Sequence, residues 1–250
     1  VTLRGKQLQV AHAYEQVSAE VERQIVEGTL RPGDQLPGEV EMAEMFGVNR
    51  STVREGIRRL ESEGLVRRAS PRRLVVSLPR SKDLASRHTR ALKLMEITFR
   101  ELWQVAVATE PLAAELAARS ATEEDVARLD ENQRRMAHVV ETGESPVELD
   151  TAFHILVADC TRNRVLKLAH EPIAFLLFPG LEALIPHLPQ APGRQLVAHQ
   201  KVIDAIRLGD ADTARDWMHR HLVDFRRGYE IANLPLDAPI VPLAANKATS

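Results

Sequence analysis

Between Phe46 and Val66 the chain carries two glycine stops, Gly47 and Gly64, around one helical pattern. Gly47 suits the left-handed residue that ends a helix, Asn49 suits the N-cap of the next one, and Gly64 closes it. Inside those stops Val53, Ile57 and Leu60 fall on one helical face, while Arg50, Ser51, Thr52, Arg54 and Arg58 point elsewhere. The stretch therefore reads as a helix end, a tight turn and a second, amphipathic helix whose open face is cationic.

That arrangement is the pattern of a helix-turn-helix recognition helix, whose first residues meet base edges and phosphates. Charge supports it. From Arg50 to Arg73 there are eight arginines and three acids, a net +5 in 24 residues, within a chain whose formal charge is −2. Residues 81–250 reverse the balance, with 20 Lys/Arg against 24 Asp/Glu, so a polyanionic partner, double-stranded DNA, is expected for the N-terminal part alone. Other classes are excluded by composition. The single cysteine, Cys160, rules out an intrachain disulfide and a cysteine-built zinc finger and suits a cytoplasmic protein. No apolar run approaches the roughly 20 residues of a membrane span, and the N-terminus lacks a secretion pattern, so no membrane partner is expected.

A length of 250 residues accommodates two domains. The first helix is expected from about Ala11 to Glu27, followed by a turn-rich connection over 30–37 and a second helix over Glu39–Phe46. After the recognition helix, Leu65–Arg68 and Leu74–Ser77 read as two strands of a small hairpin, or wing. Beyond Ser81, Ala, Leu, Glu and Arg recur at helical spacing. The expected fold class is therefore mainly α: a winged helix-turn-helix domain over 1–80, a linker helix over 81–96, an all-helical bundle over 97–232, and a mobile tail over 233–250. Ser145, Thr122 and Asp210 are the expected N-caps of three bundle helices. The prolines between Pro172 and Pro192 are expected to break the chain into short helices around a bend.

Residues 11–77 resemble the winged helix-turn-helix domain of the GntR family of bacterial transcription regulators. The resemblance is carried by Ile25-Val26-Glu27-Gly28, Leu30-Arg31-Pro32-Gly33-Asp34, Leu36-Pro37-Gly38-Glu39, Gly47-Val48-Asn49-Arg50, Val53-Arg54-Glu55 and Leu60-Glu61-Ser62-Glu63-Gly64-Leu65. Residues 97–231 resemble the helical FCD domain of the FadR-type branch, through Glu110-Pro111, Ala117-Ala118, Asp150-Thr151-Ala152-Phe153-His154, Asn163, His199 and Gly209-Asp210 to His221. This resemblance implies a homodimeric regulator, such as a repressor, that binds a palindromic operator and responds to a small metabolite. Asn49, Arg50, Ser51, Thr52 and Arg54 are the expected DNA contacts of the recognition helix, with Arg72 and Arg73 on the wing. Two departures stand out. Val40 occupies the place of an arginine that reaches DNA in relatives, and Pro71 sits near a wing tip that normally carries glycine.

Asp150 and His154 are four apart, so on a helix they project from nearly one face and can close on one ion. The FCD resemblance implies that His199 and His221 complete the set, a donor group suited to a divalent ion, zinc ahead of nickel or manganese. Taken singly and without the resemblance, His154 reads rather as a core histidine beside Phe153, and His199 as a surface residue. His219 falls on the opposite side of its helix from His221, and His88, His138, His170 and His187 carry no motif. Relatives place an effector-binding arginine where this chain has Ala106. An apolar or weakly charged effector is therefore expected, near Trp103, Ala106, Glu110 and Phe153 and the apolar run from Ile173 to Phe178. Two further readings stay open: a metal-dependent hydrolase, against which stands the lack of a glutamate base in a His-Glu-x-x-His pattern, and a constitutive repressor with a structural metal. A non-enzymatic regulator is the leading one.

Overall fold

The computed structural model describes residues 12–70, 73–79 and 81–240 and divides into two compact units, with the boundary between Asp83 and Leu84. The first unit contains α1 (Ala13–Val26), α2 (Glu39–Phe46), α3 (Arg50–Glu63), β1 (Val66–Ser70) and β2 (Arg73–Val76). Local chemistry sets the helix ends. Gly47 takes φ 66° to end α2, and the Asn49 side chain accepts from the Thr52 amide at 2.8 Å to start α3. The apolar stripe of α3 does what its spacing predicts: Val53, Ile57 and Leu60 are fully buried against Val21, Leu36, Met42, Val66, Leu74 and Val76. α1 packs across α3 at Gly56, where a Cβ would lie 3.0 Å from the Tyr14 carbonyl oxygen. Only glycine permits that approach.

The two strands pair antiparallel, Val66 opposite Val76, with an irregularity between Arg68 and Ser70. The connection before α2 is tied to them: the Leu36 amide donates to the Leu74 carbonyl at 3.0 Å and the Val76 amide to the Asp34 carbonyl at 2.9 Å. Pro71 and Arg72, on which the wing-tip expectation rests, lie outside the described residues.

Helix α4 (Ser81–Leu94) runs across the boundary. The second unit continues with α5 (Phe99–Ser120), α6 (Glu123–Thr142), α7 (Val147–Cys160), α8 (Arg164–Leu177), α9 (Gly180–Leu184), α10 (Ala191–Leu208) and α11 (Ala211–Ile231). α11 packs along α5, α10 lies against both and against α6, and α7 contacts α5, α6 and α8. The apolar interior forms two clusters. One gathers around Phe153, Val157, Leu129 and Met218, the other around Phe99, Phe178, Leu181 and Leu222. Thr122 and Asp210 cap α6 and α11 as expected, accepting from the Asp125 and Thr213 amides. Among the described residues no helix is long and apolar enough to cross a membrane.

Three expectations are corrected. Ser145 does not cap α7: Pro146 stands at the N-cap, and the Ser145 hydroxyl instead donates to Glu182 at 2.6 Å. Pro172 does not break the chain but lies inside α8, as Pro111 lies inside α5. Each removes one backbone hydrogen bond, and packing of the apolar faces of α8 and α5 outweighs that loss. Residues 234–240 do not run free as a tail. Leu234, Leu236 and Ile240 pack on the second cluster, the Arg100 amide donates to the Leu236 carbonyl at 2.9 Å, and Arg100 pairs with Asp237. Residues 241–250 lie outside the described residues.

Candidate metal centre and nucleic-acid interface

On the first unit Asn49, Arg50, Ser51 and Arg54 are exposed and Thr52 is half-buried, at the start of α3. The Asn49 Oδ1 atom accepts from the Ser51 and Thr52 hydroxyls at 2.6 and 2.9 Å as well as from the Thr52 amide. Arg54 is not free. Its guanidinium donates to Glu39 Oε2 at 3.2 and 3.3 Å, while Arg68 of β1 donates to Glu39 Oε1 at 3.1 Å and also pairs with Glu61 at 3.1 Å. Glu39, the first residue of α2, thus joins the recognition helix to the wing. Burial pushes its carboxyl up, but the bonds from Arg68 and Arg54 outweigh that and hold it below the usual carboxylate range. Arg58 and Arg59 pair with Glu55 and Glu63 on their own helix, whereas Arg50 and Arg73 make no ion pair among the described residues. The sequence reading missed Arg68 and Glu39; their coupling spans 29 residues, beyond any local pattern.

In the second unit Asp150 and His154 on α7, His199 on α10 and His221 on α11 bring one ligand atom each to within 4.8 Å of one another. All four are buried, and they sit at the seam between the two apolar clusters: His154 stacks on Phe178 with centroids 3.5 Å apart, and His199 on Phe153 at 3.7 Å. The Nε2 atoms of His221 and His154 are 3.2 Å apart, those of His199 and His221 3.4 Å, and His199 Nε2 lies 3.5 Å from Asp150 Oδ1. Among the described residues neither Asp150 oxygen has a hydrogen-bond donor, although the residue is fully buried.

These observations fit a divalent ion. Three imidazoles and a carboxylate are a zinc-type donor set, and a tetrahedron with ligand distances near 2.0–2.1 Å has edges of about 3.3 Å, close to the 3.2, 3.4 and 3.5 Å of these three pairs. Facing imidazole nitrogens and an unpartnered buried carboxylate are costly by themselves and are relieved by a shared cation. The electrostatics agree. Burial, then the charge of Glu110, pushes the Asp150 carboxyl well above its usual range, and burial with neighbouring imidazole charge pushes His199 well below its own and His221 down to about 3. The histidines are held neutral, the state in which they ligate.

Behind the cluster stands Glu110 of α5, fully buried. It accepts from His154 Nδ1 at 3.0 Å through Oε2 and from His170 Nε2 of α8 through Oε1. His170, to which no motif pointed, is the buried residue the sequence reading missed; the two partners are 60 residues apart. The residues expected to meet an effector are placed elsewhere. Glu110 has both oxygens committed, Ala106 and Phe153 are in the apolar core, and the Trp103 indole donates to the Leu222 carbonyl at 2.9 Å under Arg226. None of the four lines the two cavities that reach His221, of about 250 and 710 Å³. His219 is exposed, and Cys160 is a buried thiol pushed up to about 12, chiefly by burial.

The comparisons with known proteins agree with both units. Residues 13–76 match the bacterial regulatory proteins of the gntR family, and residues 101–224 match the FCD domain. The Uxu operon regulator of Haemophilus influenzae is 30% identical, covering 85% of this chain and 80% of its own. The transcriptional regulator LutR of Bacillus subtilis is 27% identical over 80% of this chain and 93% of its own. Among solved structures, a GntR protein of Streptococcus agalactiae superposes with a TM-score of 0.61 at 24% identity, covering 86% of this chain and 99% of its own, a likeness of fold. A recognition helix with exposed arginines, a wing, and a helical domain with a buried Asp/His cluster thus converge on one conclusion: the chain is a DNA-binding transcriptional regulator of the GntR family, FadR-type branch with an FCD domain, and not an enzyme.

Proposed function

We propose that this regulator binds a palindromic operator as a homodimer, and that a small molecule seated beside a divalent ion in the helical unit sets its hold on DNA. The observation that carries this reading is the convergence of Asp150, His154, His199 and His221 next to cavities that open at His221. A bound ion would supply a Lewis-acid attachment point for an effector oxygen. The chain's own residues do the rest. Gln195, buried and with its Oε1 lacking a partner, lines the smaller cavity together with Arg194 and Arg227, and Arg194 also pairs with Asp224 at the junction of both cavities. This lining favours a polar effector over the apolar one suggested by Ala106: Arg194 and Arg227 can donate to an anionic group, and Gln195 Oε1 can accept from a hydroxyl or amine beside it.

A homodimer is supported by Val105 and Leu112 on α5 and Leu168 and Phe175 on α8, large apolar residues left exposed a heptad apart on two helices that pack together. Such a protein works in the cytoplasm, where the operator is. Regulation requires unequal effector affinity for the DNA-competent and incompetent states, and α4, the covalent path between the units, is the transmitting segment.

The test is a thermal-shift and gel-shift series with zinc alone and with zinc plus a panel of small carboxylates. The expected result is stabilisation by zinc, further stabilisation by one class of acid, and a changed operator affinity with that acid. Stabilisation by zinc with no acid adding to it would leave a structural metal and a constitutive DNA binder.

A further inference from the structure

The four-residue cluster explains which atoms face an ion but not what decides which nitrogen of His154 does so. Stacking on Phe178, with the rings 6° from parallel, fixes the plane of the imidazole. It leaves the half-turn about the Cβ–Cγ bond free, and that half-turn exchanges nitrogen for carbon at the centre. A hydrogen bond to the far nitrogen is what chooses. His154 has one, to Glu110 Oε2 at 3.0 Å, whereas His199 Nδ1 is buried with no partner among the described residues. Glu110 in turn is oriented by its other oxygen, taken by His170 Nε2 from a different helix.

We propose that His170 and Glu110 form a positioning relay that holds His154 in its Nδ1–H tautomer, presents the Nε2 lone pair to the ion, and so sets the metal affinity of the site. The inference rests on the metal reading above. Two observations support it. Glu110 and His170 are 0% and 1% exposed, so a missing partner on either could not be replaced by bulk water. The pair also crosses α5 and α8 beside Pro111 and Pro172, the turns at which each helix lacks a backbone hydrogen bond. A side-chain tie there fixes the spacing of two locally weakened helices.

The role is one of positioning, and the experiment separates it from general stability. Replacing both partners with apolar residues, Glu110→Leu together with His170→Leu, leaves no buried charge and keeps the core filled. His170→Gln retains a donor for Glu110. Zinc affinity is measured by competition with a chromophoric chelator, cobalt(II) absorption reports the donor geometry, and the tautomer of His154 is read in the metal-free protein by two-bond proton–nitrogen correlation. The expected result is that the double variant binds zinc about 10- to 100-fold more weakly, with an altered cobalt spectrum and a mixed His154 tautomer, while the single Gln variant stays near the parent. Unchanged zinc affinity and an unchanged tautomer in the double variant would overturn the relay, and so would an Nε2–H tautomer in the unaltered metal-free protein, which needs no variant to fold. An unaltered protein that binds neither ion would overturn the metal reading itself, and the His154 tautomer would then still decide whether the relay holds the ring.

Discussion

The two units keep their charged groups in opposite ways. In the first, Arg54 and Arg68 are 47% and 37% exposed and share Glu39, which is 17% exposed. In the second, Asp150, His154, His199 and Glu110 are wholly buried. Exposed ion pairs are worth about 0–1 kcal/mol, so an arginine can leave a carboxylate for a DNA phosphate at little cost. Buried donors have no such freedom, because a polar atom cut off from water must find a partner inside the protein. The difference teaches that the DNA-binding unit is built to exchange partners and the helical unit to hold one.

That contrast can be broken from the buried side first, where the effects are largest. His199→Ala removes one of four converging donors and is expected to abolish measurable zinc binding by calorimetry while metal-free protein still shifts an operator fragment. Loss of both together would mean that the cluster is a plain structural element. On the exposed side, Arg54→Ala is expected to cost roughly 1–3 kcal/mol of operator affinity and to relax one base position if the arginine reads a base. If it clamps a phosphate, the loss will be equal for all sequences, and the slope of log affinity against log salt will fall by about one. A melting curve that moves with Arg54→Ala as much as the binding does would contradict the idea of a loosely held, exchangeable cation.

The smallest expected effect sharpens the comparison through pH. The Glu39 carboxyl is held below the 4.5 of an unperturbed glutamate, so it contributes stability that is fully present above that value. The contribution is lost as pH falls through the lower folded value, because the unfolded chain takes up the proton first. Glu39→Gln should flatten this acid-side loss. Urea titrations of the full chain at pH 6 and near 3.5, followed by circular dichroism, measure it. Fluorescence serves as the internal control, since Trp103 and Trp217 both belong to the second unit. A change in the fluorescence transition would show that Glu39 acts beyond its own unit.

What the sequence made legible follows the same divide. The recognition helix is readable because its stops, cap and apolar stripe lie within one continuous stretch, and Gly47, Asn49, Val53, Ile57, Leu60 and Gly64 all serve as their spacing predicts. Asp150 and His154 are readable as a helical pair; their union with His199 and His221 needed the family resemblance. Glu39 with Arg68 and Glu110 with His170 were illegible, since neither partner carries a periodic or motif signal and tertiary packing alone joins them. Pro172 misled because a proline's local cost was weighed without the burial of α8. The run Leu234, Leu236 and Ile240 misled differently: it follows the two-residue rhythm of an extended segment, in a region searched for helical rhythm.

His221 comes from α11, the last helix among the described residues, laid along α5, the first long helix of the helical unit. On the ribosome, therefore, the two halves of this regulator mature at different times. The DNA-binding unit has all its core residues once Val76 has emerged, whereas the Asp/His cluster lacks a member until more than half the remaining chain has been made. On the proposed reading, a nascent or C-terminally clipped chain would carry the DNA-binding head without a complete Asp/His cluster, so truncation upstream of α11 would separate DNA binding from any response to an ion or effector.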